Sequence, residues 1–401
     1  MKVVQINSVC GRGSTGKIVV DISKKLNKQK IENYIFYGHG DSDYPNAVKF
    51  GSNLNVNLHK LQTRLLGKHG FYSYFVTRAM IKKLSAINPD VIHLHNLHGH
   101  YLHVGLLFKY LSKSNKKVLW TLHDCWSFTG HCAHFDYIGC LKWKNLCSRC
   151  PQLKQYPKSL VFDRSKGSYV HKKKIFTSIK DLTIITPSSW LANLVKESYL
   201  KQFPVKVIHN GIDLDTFKPA DTKSLDENLL DRFYDTRGKF IILSVAIDLN
   251  ERKGGEYLKK FASLLEEDEL LVIVGVTEKQ KKELPNNVIG IEKTNSVKEL
   301  STIYSRADIF INTTLEDTFP TVNLEALACG TPVVTFNTGG SPETIDDKTG
   351  IVIEQGNLNE LKKAVKFLKE NSKSSYEKNC IDRAKTRFNK DSNFEEYLKL
   401  Y

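Results

Sequence analysis

A chain of 401 residues is long enough for two domains of ordinary size, each with a core of its own. Hydrophobic residues make up 41% and charged residues 25%, which excludes a disordered chain; no apolar run approaches the ~18 residues that span a bilayer. The formal charge of +16 is lopsided, since residues 1–200 hold 30 Lys and Arg against 10 Asp and Glu, while the remaining 201 hold 29 against 33. Such a first half is drawn to phosphate, on nucleic acid or on an anionic lipid surface.

In chain order, "MKVVQINSVC" is strand-like and lacks a signal-peptide apolar core, which predicts a cytoplasmic protein. The strand "KVVQIN" enters a Gly-rich turn, "CGRGSTGKI" (10–18), and then the helix "KIVVDISKKL". The spacing of the glycines and Lys17 is not that of a Walker loop. After the strand "NYIFYG", no acidic residue occurs between Asp43 and Asp90, whereas Lys49, Lys60, Arg64, Lys68, Arg78, Lys82 and Lys83 do. The strands "DVIHLH" and "KVLWTLH" carry His93, His95 and His123 at or near their ends, where open α/β sheets bind ligands. Of the neighbouring histidines, His93, His98 and His103 read as structural groups or as the lining of a cleft.

Next, "GHCAHFDYIGCLKWKNLCSRCPQL" places Cys132, Cys140, Cys147 and Cys150 within nineteen residues. The closing C-x-x-C is the tight half of a tetrahedral site, which predicts a structural zinc, with His131 and His134 as substitute ligands. Reduced thiols packed in a loop are the alternative. Disulfides need an oxidising compartment for which there is no signal. A second basic run extends from Lys154 to Lys180, opposed by Asp163 alone. After "LTIITPS" the series breaks near "KQFPVKVIHNGID", at about residue 205. It restarts with "KVIHNG", "FIILSVA", "LLVIVG", "DIFINT" and "PVVTF" before a terminal helix from about residue 383. Strands alternating with helices, twice over, predict two doubly wound Rossmann-like α/β domains facing a central cleft.

The stretch "LEDTFPTVNLEALACGTPVV" (315–334) sets Glu316, Asp317 and Glu325 around a Pro-broken turn that opens a helix. Helix starts favour anions, and a carboxylate beside such a site suits a ribose diol. With "FNTGGSPE" (336–343) it resembles the nucleotide-sugar signature of family 4 glycosyltransferases, retaining enzymes of GT-B fold, and "HNGIDLDTF" (209–217) resembles the marker of their C-terminal domain. The resemblance implies that Glu325 binds the donor ribose, with Asp317 at hydroxyls of the transferred sugar where the family usually has Glu. Phe319 and Thr321 fall in the same donor loop. Glu316, one residue out of register, reads as solvated.

The same resemblance implies that "SVAIDLNERKGGE" (244–256) neutralises the departing diphosphate. Lys253 takes the family lysine's place, and Arg252 stands in for an arginine whose position holds Asp248. Gly13 and Gly16 would approach the donor phosphates, His123 would contact the transferred sugar, and His95 and Asn96 would serve the acceptor.

The domains expected are 1–205 for the acceptor, 206–382 for the nucleotide sugar, and a helix over 383–401 returning to the first. The activity expected is hexosyl transfer from a UDP- or GDP-sugar to a hydroxyl of a lipid-linked or oligosaccharide acceptor in surface polysaccharide synthesis. It would need no catalytic cofactor or metal and would take place at the anionic inner face of the cell membrane. A GT-B phosphorylase or sugar-nucleotide epimerase would share the fold. A basic nucleic-acid-binding protein is the other class, against which no helix-turn-helix, RNA-recognition aromatic motif or zinc-finger helix is present.

Overall fold

The computed structural model describes residues 1–220, 236, 238–246, 249–285 and 287–401. They form two compact units, Met1–His209 with Phe394–Tyr401, and Asn210–Asn393.

The first unit is built on β1 (Lys2–Val9), α1 (Gly13–Lys28), β2 (Glu32–His39), β3 (Ala47–Lys49), α2 (Asn53–Leu66), α3 (Tyr74–Ile87) and β4 (Val91–Leu94). It continues through α4 (Val104–Leu111), β5 (Lys117–Thr121), α5 (Ser165–Phe176), β6 (Leu182–Thr186), α6 (Ser189–Glu197) and β7 (Val205–Val207). The seven strands run parallel in the order β3-β2-β1-β4-β5-β6-β7. Strand order therefore reverses between β1 and β4, the point at which such sheets open a crevice at their carboxyl ends.

Helices on the sheet faces explain the nearly continuous apolar runs of β1, β4 and β5. The C-terminal segment belongs to this unit. Phe394 and Tyr397 pack with Val3, Ile18, Ile22 and Leu119, and the Tyr401 hydroxyl lies 2.7 Å from His93 Nδ1.

The second unit contains β8 (Phe240–Val245), α7 (Gly255–Ala262), β9 (Glu269–Val274), α8 (Glu278–Lys282), β10 (Val288–Ile291), α9 (Val297–Arg306) and β11 (Ile309–Asn312). Then come α10 (Thr321–Ala328), β12 (Val333–Phe336), β13 (Gly350–Ile353), α11 (Leu358–Asn371), α12 (Ser374–Arg387) and α13 (Lys390–Leu398), whose last turn lies in the first unit. Its parallel sheet has the order β10-β9-β8-β11-β12-β13, with the reversal between β8 and β11.

Two details depart from the sequence reading. "KVIHNG" does not open the second series, because Val205–Val207 pairs with β6 at the edge of the first sheet. The tail is not one helix from 383. Arg383 sits in α12, where its guanidinium bonds the Thr344 carbonyl and the Asp346 carboxylate, and the chain bridges Asn389 to Ile212 before α13 begins.

The insertion over residues 122–164 is held by aromatic packing. Phe135 stacks on Trp143 at 5.0 Å, with Phe128 beside them and Cys132 and Cys147 in the same core. The four cysteines line one small cavity with His131, yet among the described residues no group of three or more His, Cys, Asp or Glu side chains could hold a metal ion. A hydrogen bond to Cys150 and burial raise the Cys132 thiol well above its usual value, and burial pushes Cys147 up to about 11. Protonated thiols pack as small apolar groups.

The basic run over 154–180 also hides an exception to a solvated face. Lys172 is buried, donates to the Trp126 carbonyl, and lies 3.9 Å from that indole's centroid; burial draws its pKa down to about 7.

Candidate active site

In the second unit the loop after β8 folds back on the loop after β11. Asn250 caps a short 3-10 turn, Glu251–Lys253, by accepting from the Lys253 amide. The turn docks on the neighbouring loop through the Leu315 amide, which donates to the Arg252 carbonyl at 2.9 Å. Two glycines allow this approach. A Cβ on Gly254 would lie 1.9 Å from the Thr313 carbonyl oxygen, and one on Gly339 would lie 1.8 Å from that of Asp317; both have positive φ.

The result is a contact no local sequence pattern shows. Lys253 Nζ lies 2.8 Å from Asp317 Oδ2, and the Phe319 amide donates to Oδ1 at 3.1 Å. The Asp317 carboxylate is thus held from two sides at the reversal point of the sheet. Arg252 is exposed beside it, and Asp248 lies outside the described residues.

The other donor-loop residues divide. Thr321 begins α10 and is partly exposed. Glu325 lies one turn further on, where Tyr304 donates its hydroxyl to Oε2 at 2.9 Å. Tyr304 is fully buried, so it fixes the carboxylate from below; sequence reasoning missed it because the two are 21 positions apart.

The Phe319 ring is buried. It is 2% exposed and packs in the core, 5.8 Å from the Phe388 ring, because the turn closes over apolar α10 and α12. Glu316 is not solvated either, at 5% exposure. It sits in the bend between β11 and α10 with almost no surface in contact with water. Glu316→Ala is expected to lower the stability of this unit by about 1–3 kcal/mol, the scale for an unmade buried polar contact, without weakening donor binding. Melting curves with and without a nucleotide sugar check both halves.

In the first unit the expected residues gather at the carboxyl ends of β1, β4 and β5. His95, Asn96, His98, His123 and Asp124 line one small cavity. Gln5 donates from Nε2 to the Val19 carbonyl, so its Oε1 faces His95 Nε2 at 3.2 Å and requires a proton there. His95 Nδ1 is then an acceptor, and His123 Nε2, 3.2 Å away, must donate to it. The relay fixes the tautomer of His123. Burial pushes His123 down to about 4 against the pull of Asp124, so the ring is neutral near pH 7.

The surrounding histidines are structural in their contacts. His93 bridges the Tyr401 and Thr121 hydroxyls, His103 accepts from the Leu106 amide at the start of α4, and His98 lies 2.5 Å from Asp124. Burial alone would raise Asp124, but His98 overrides it and holds the carboxyl at about 2. The Asn96 amide donates to Asn7 Oδ1. Gly13, with positive φ, opens α1, whose first turn has neither a side-chain cap nor an acidic residue. Gly16 is buried in that helix, where an added Cβ would lie 3.1 Å from a Val9 methyl and 3.2 Å from the Gly11 nitrogen.

The model for Glycosyltransferase Family 4 matches residues 15–216, half of the chain, and that for glycosyl transferases group 1 matches residues 231–387. Over 372 residues the chain is 26% identical to the colanic acid biosynthesis glycosyl transferase WcaC of Escherichia coli K12, covering 88% of each. Its fold is similar to sucrose-phosphate synthase from Thermosynechococcus elongatus, with a TM-score of 0.73 at 17% identity over 100% of this chain and 98% of that one. It is also similar to HepE of Anabaena in complex with UDP-glucose, with a TM-score of 0.68 at 14% identity and coverage of 100% and 98%. The two parallel-sheet α/β domains are those of the GT-B class, and the chain belongs to Glycosyltransferase Family 4.

Proposed function

We propose that this glycosyltransferase moves a hexose from a UDP- or GDP-sugar to a hydroxyl of a lipid-linked glycan, with retention and without a metal, in surface polysaccharide synthesis at the inner face of the cell membrane. The observation that carries the donor half is the Lys253–Asp317 pair at the strand reversal of the second sheet, with Arg252 exposed beside it. An arriving diphosphate competes with Asp317 for the lysine. Lys253 then faces the oxygen on which charge grows as the glycosidic bond breaks, while Asp317 turns to sugar hydroxyls. His123, neutral and fixed as a donor on Nε2 towards His95, is a polar contact for the sugar in this reading.

The relatives agree in chemistry: the bacterial relative is named for colanic acid biosynthesis, and the Anabaena structure holds UDP-glucose. That no helix among the described residues is long and apolar enough to cross a membrane is compatible with peripheral attachment.

Glu325→Ala tests the donor assignment. Losing hydrogen bonds to a ribose diol is expected to weaken donor binding by about 1.5–3 kcal/mol, and Tyr304→Phe, which only releases the carboxylate, by less. Titration calorimetry across a panel of nucleotide sugars reads both. Unchanged affinity in Glu325→Ala would remove the ribose role.

A further inference from the structure

Helix α2 has a buried face and, opposite it, an exposed apolar one. Val56, His59 and Thr63 are turned into the first unit. On the opposite side Leu54, Leu58, Leu61 and Leu65, at i, i+4, i+7 and i+11, form an unbroken stripe, and all are at least 45% exposed. Leu66 adds to its end. A second segment enlarges the patch there: the Leu160 amide donates to the Arg64 carbonyl at 2.8 Å, which sets exposed Leu160, Val161 and Phe162 at the carboxyl end of the helix. Scattered leucines on a surface are ordinary; a row on one helix continued by three more apolar residues is not.

The flank of the same helix lines a cavity of about 550 Å³ that opens at the end of β1, at Ser8 and Val9. Lys60 and Arg64 enter it from α2, and Lys154 and Lys158 from the loop that leads to Leu160. No Asp or Glu is among the residues lining it, and the chain has none between Asp43 and Asp90. Four cations converging on one concavity beside an apolar ridge describe the complement of a specific kind of molecule. It has an anionic group of more than one charge and, joined to it, a long apolar chain. A nucleic acid would use the cations and leave the leucines in water; a protein partner would cover the leucines but give no reason for the cavity.

We propose that α2 and residues 160–162 seat this unit on an anionic lipid bilayer, and that the Lys60, Arg64, Lys154 and Lys158 cavity holds the phosphate or diphosphate of the membrane-borne acceptor. The inference rests on the reading of the chain as a transferase to a lipid-linked acceptor, and it assigns that acceptor a place. The acceptor's apolar chain stays in the lipid along the leucine stripe, while its phosphates sit at the carboxyl ends of β1 and β4, where the sheet delivers its site residues.

The test uses vesicles of phosphatidylcholine alone, with phosphatidylglycerol added, or with a C15 prenyl diphosphate added. The wild-type chain is expected to sediment with the two anionic preparations. Leu58→Glu with Leu61→Glu, both at solvent positions, should abolish sedimentation with either, by about tenfold or more per leucine, with an unchanged circular dichroism spectrum. Lys154→Gln with Lys158→Gln should weaken binding to prenyl diphosphate vesicles about fivefold per cation and abolish competition by inorganic pyrophosphate.

Sedimentation untouched by the leucine changes overturns the docking face. Pyrophosphate that never competes overturns the cavity assignment. A wild-type dimer that the leucine variant turns into a monomer, without vesicle binding, assigns the stripe to a second copy and also overturns the proposal. Hydrolysis of the nucleotide sugar, followed in parallel without lipid, keeps the two readings apart. Its absence beside intact vesicle binding counts against the transferase reading, and its presence without vesicle binding counts against this inference alone.

Discussion

Lys253→Ala is expected to lower turnover about 10²–10³-fold while moving the melting temperature little, the scale seen when one preorganised group facing developing charge is removed. The small effect on stability follows from position. The side chains of Lys253 and Asp317 are 25% and 21% exposed, and pairs in contact with water contribute little to folding. The large effect on turnover follows from what an unpaired Asp317 would do, which is to set a bare carboxylate beside the place proposed for a diphosphate. That creates an ambiguity: the lysine could act on the leaving group, or only mask the aspartate.

The double variant Lys253→Ala with Asp317→Asn separates the two. Where the lysine stabilises the leaving group, neutralising the aspartate leaves turnover as low as in the single variant or lower. A double variant that recovers to near wild type would show that Lys253 merely shields Asp317. Lys253→Arg keeps the charge but not the shape, because a planar guanidinium replaces the compact ammonium that meets Asp317 Oδ2.

The sequence carried the fold well for a physical reason. Both sheets are parallel and covered on two faces, so their strands are apolar runs that stand out from amphipathic helices. The strands it passed over, β3, β10 and β13, are three or four residues long and sit at sheet edges, so their apolar runs are too short to stand out. Placement of "KVIHNG" failed because an edge strand's allegiance is decided by its neighbour, and β6 is not visible from the segment itself.

The site was legible as a set of residue types but not as contacts. The motif names Arg252, Lys253, Asp317 and Glu325 as candidates, whereas their partners depend on loops that meet only in the fold. Lys253 reaches Asp317 across 64 positions, and His95 reaches Gln5 across 90. Glu316 was misplaced, and the burial of the Phe319 ring went unseen, for one reason. Register within a loop says which side chains alternate, and only the packed α10 says which side is inside. Lys172 was hidden in a run of lysines whose other members face solvent.

Acidification from pH 7 towards pH 4.5 is expected to unfold the first unit while the second stays folded. All thirteen histidines lie at or before residue 209, so the second unit has none to titrate in this range. In the first unit burial pushes His59 and His93 down to about 3 and His100, His123 and His131 to about 4, and holds His69 and His95 well below the ordinary imidazole value. The sign follows from proton counts. Above pH ~6.5 these rings are neutral both folded and unfolded, and no stability depends on them. Below it the unfolded chain takes up protons that the folded unit refuses until about pH 4, so stability falls as pH falls through that window.

Each ring contributes at most about 1.4 kcal/mol per pH unit, and seven acting together can exhaust the 5–15 kcal/mol of a typical domain within two units. The other titrating groups leave this window to the histidines. Asp124, at about 2, loses its contribution at lower pH, and Lys172, at about 7, changes the balance only on the alkaline side. Calorimetry at a series of pH values, with hydrogen exchange assigned to peptides of each unit, follows the two transitions. His69 supplies the internal control. Among the described residues neither of its ring nitrogens has a hydrogen-bond partner, and it packs among His59, His100 and Trp126. His69→Phe therefore removes a group that must charge on unfolding without removing a hydrogen bond, and should shift the acid midpoint downward. Loss of both units at one midpoint, or an unchanged midpoint in His69→Phe, would show that the buried histidines do not set the acid limit.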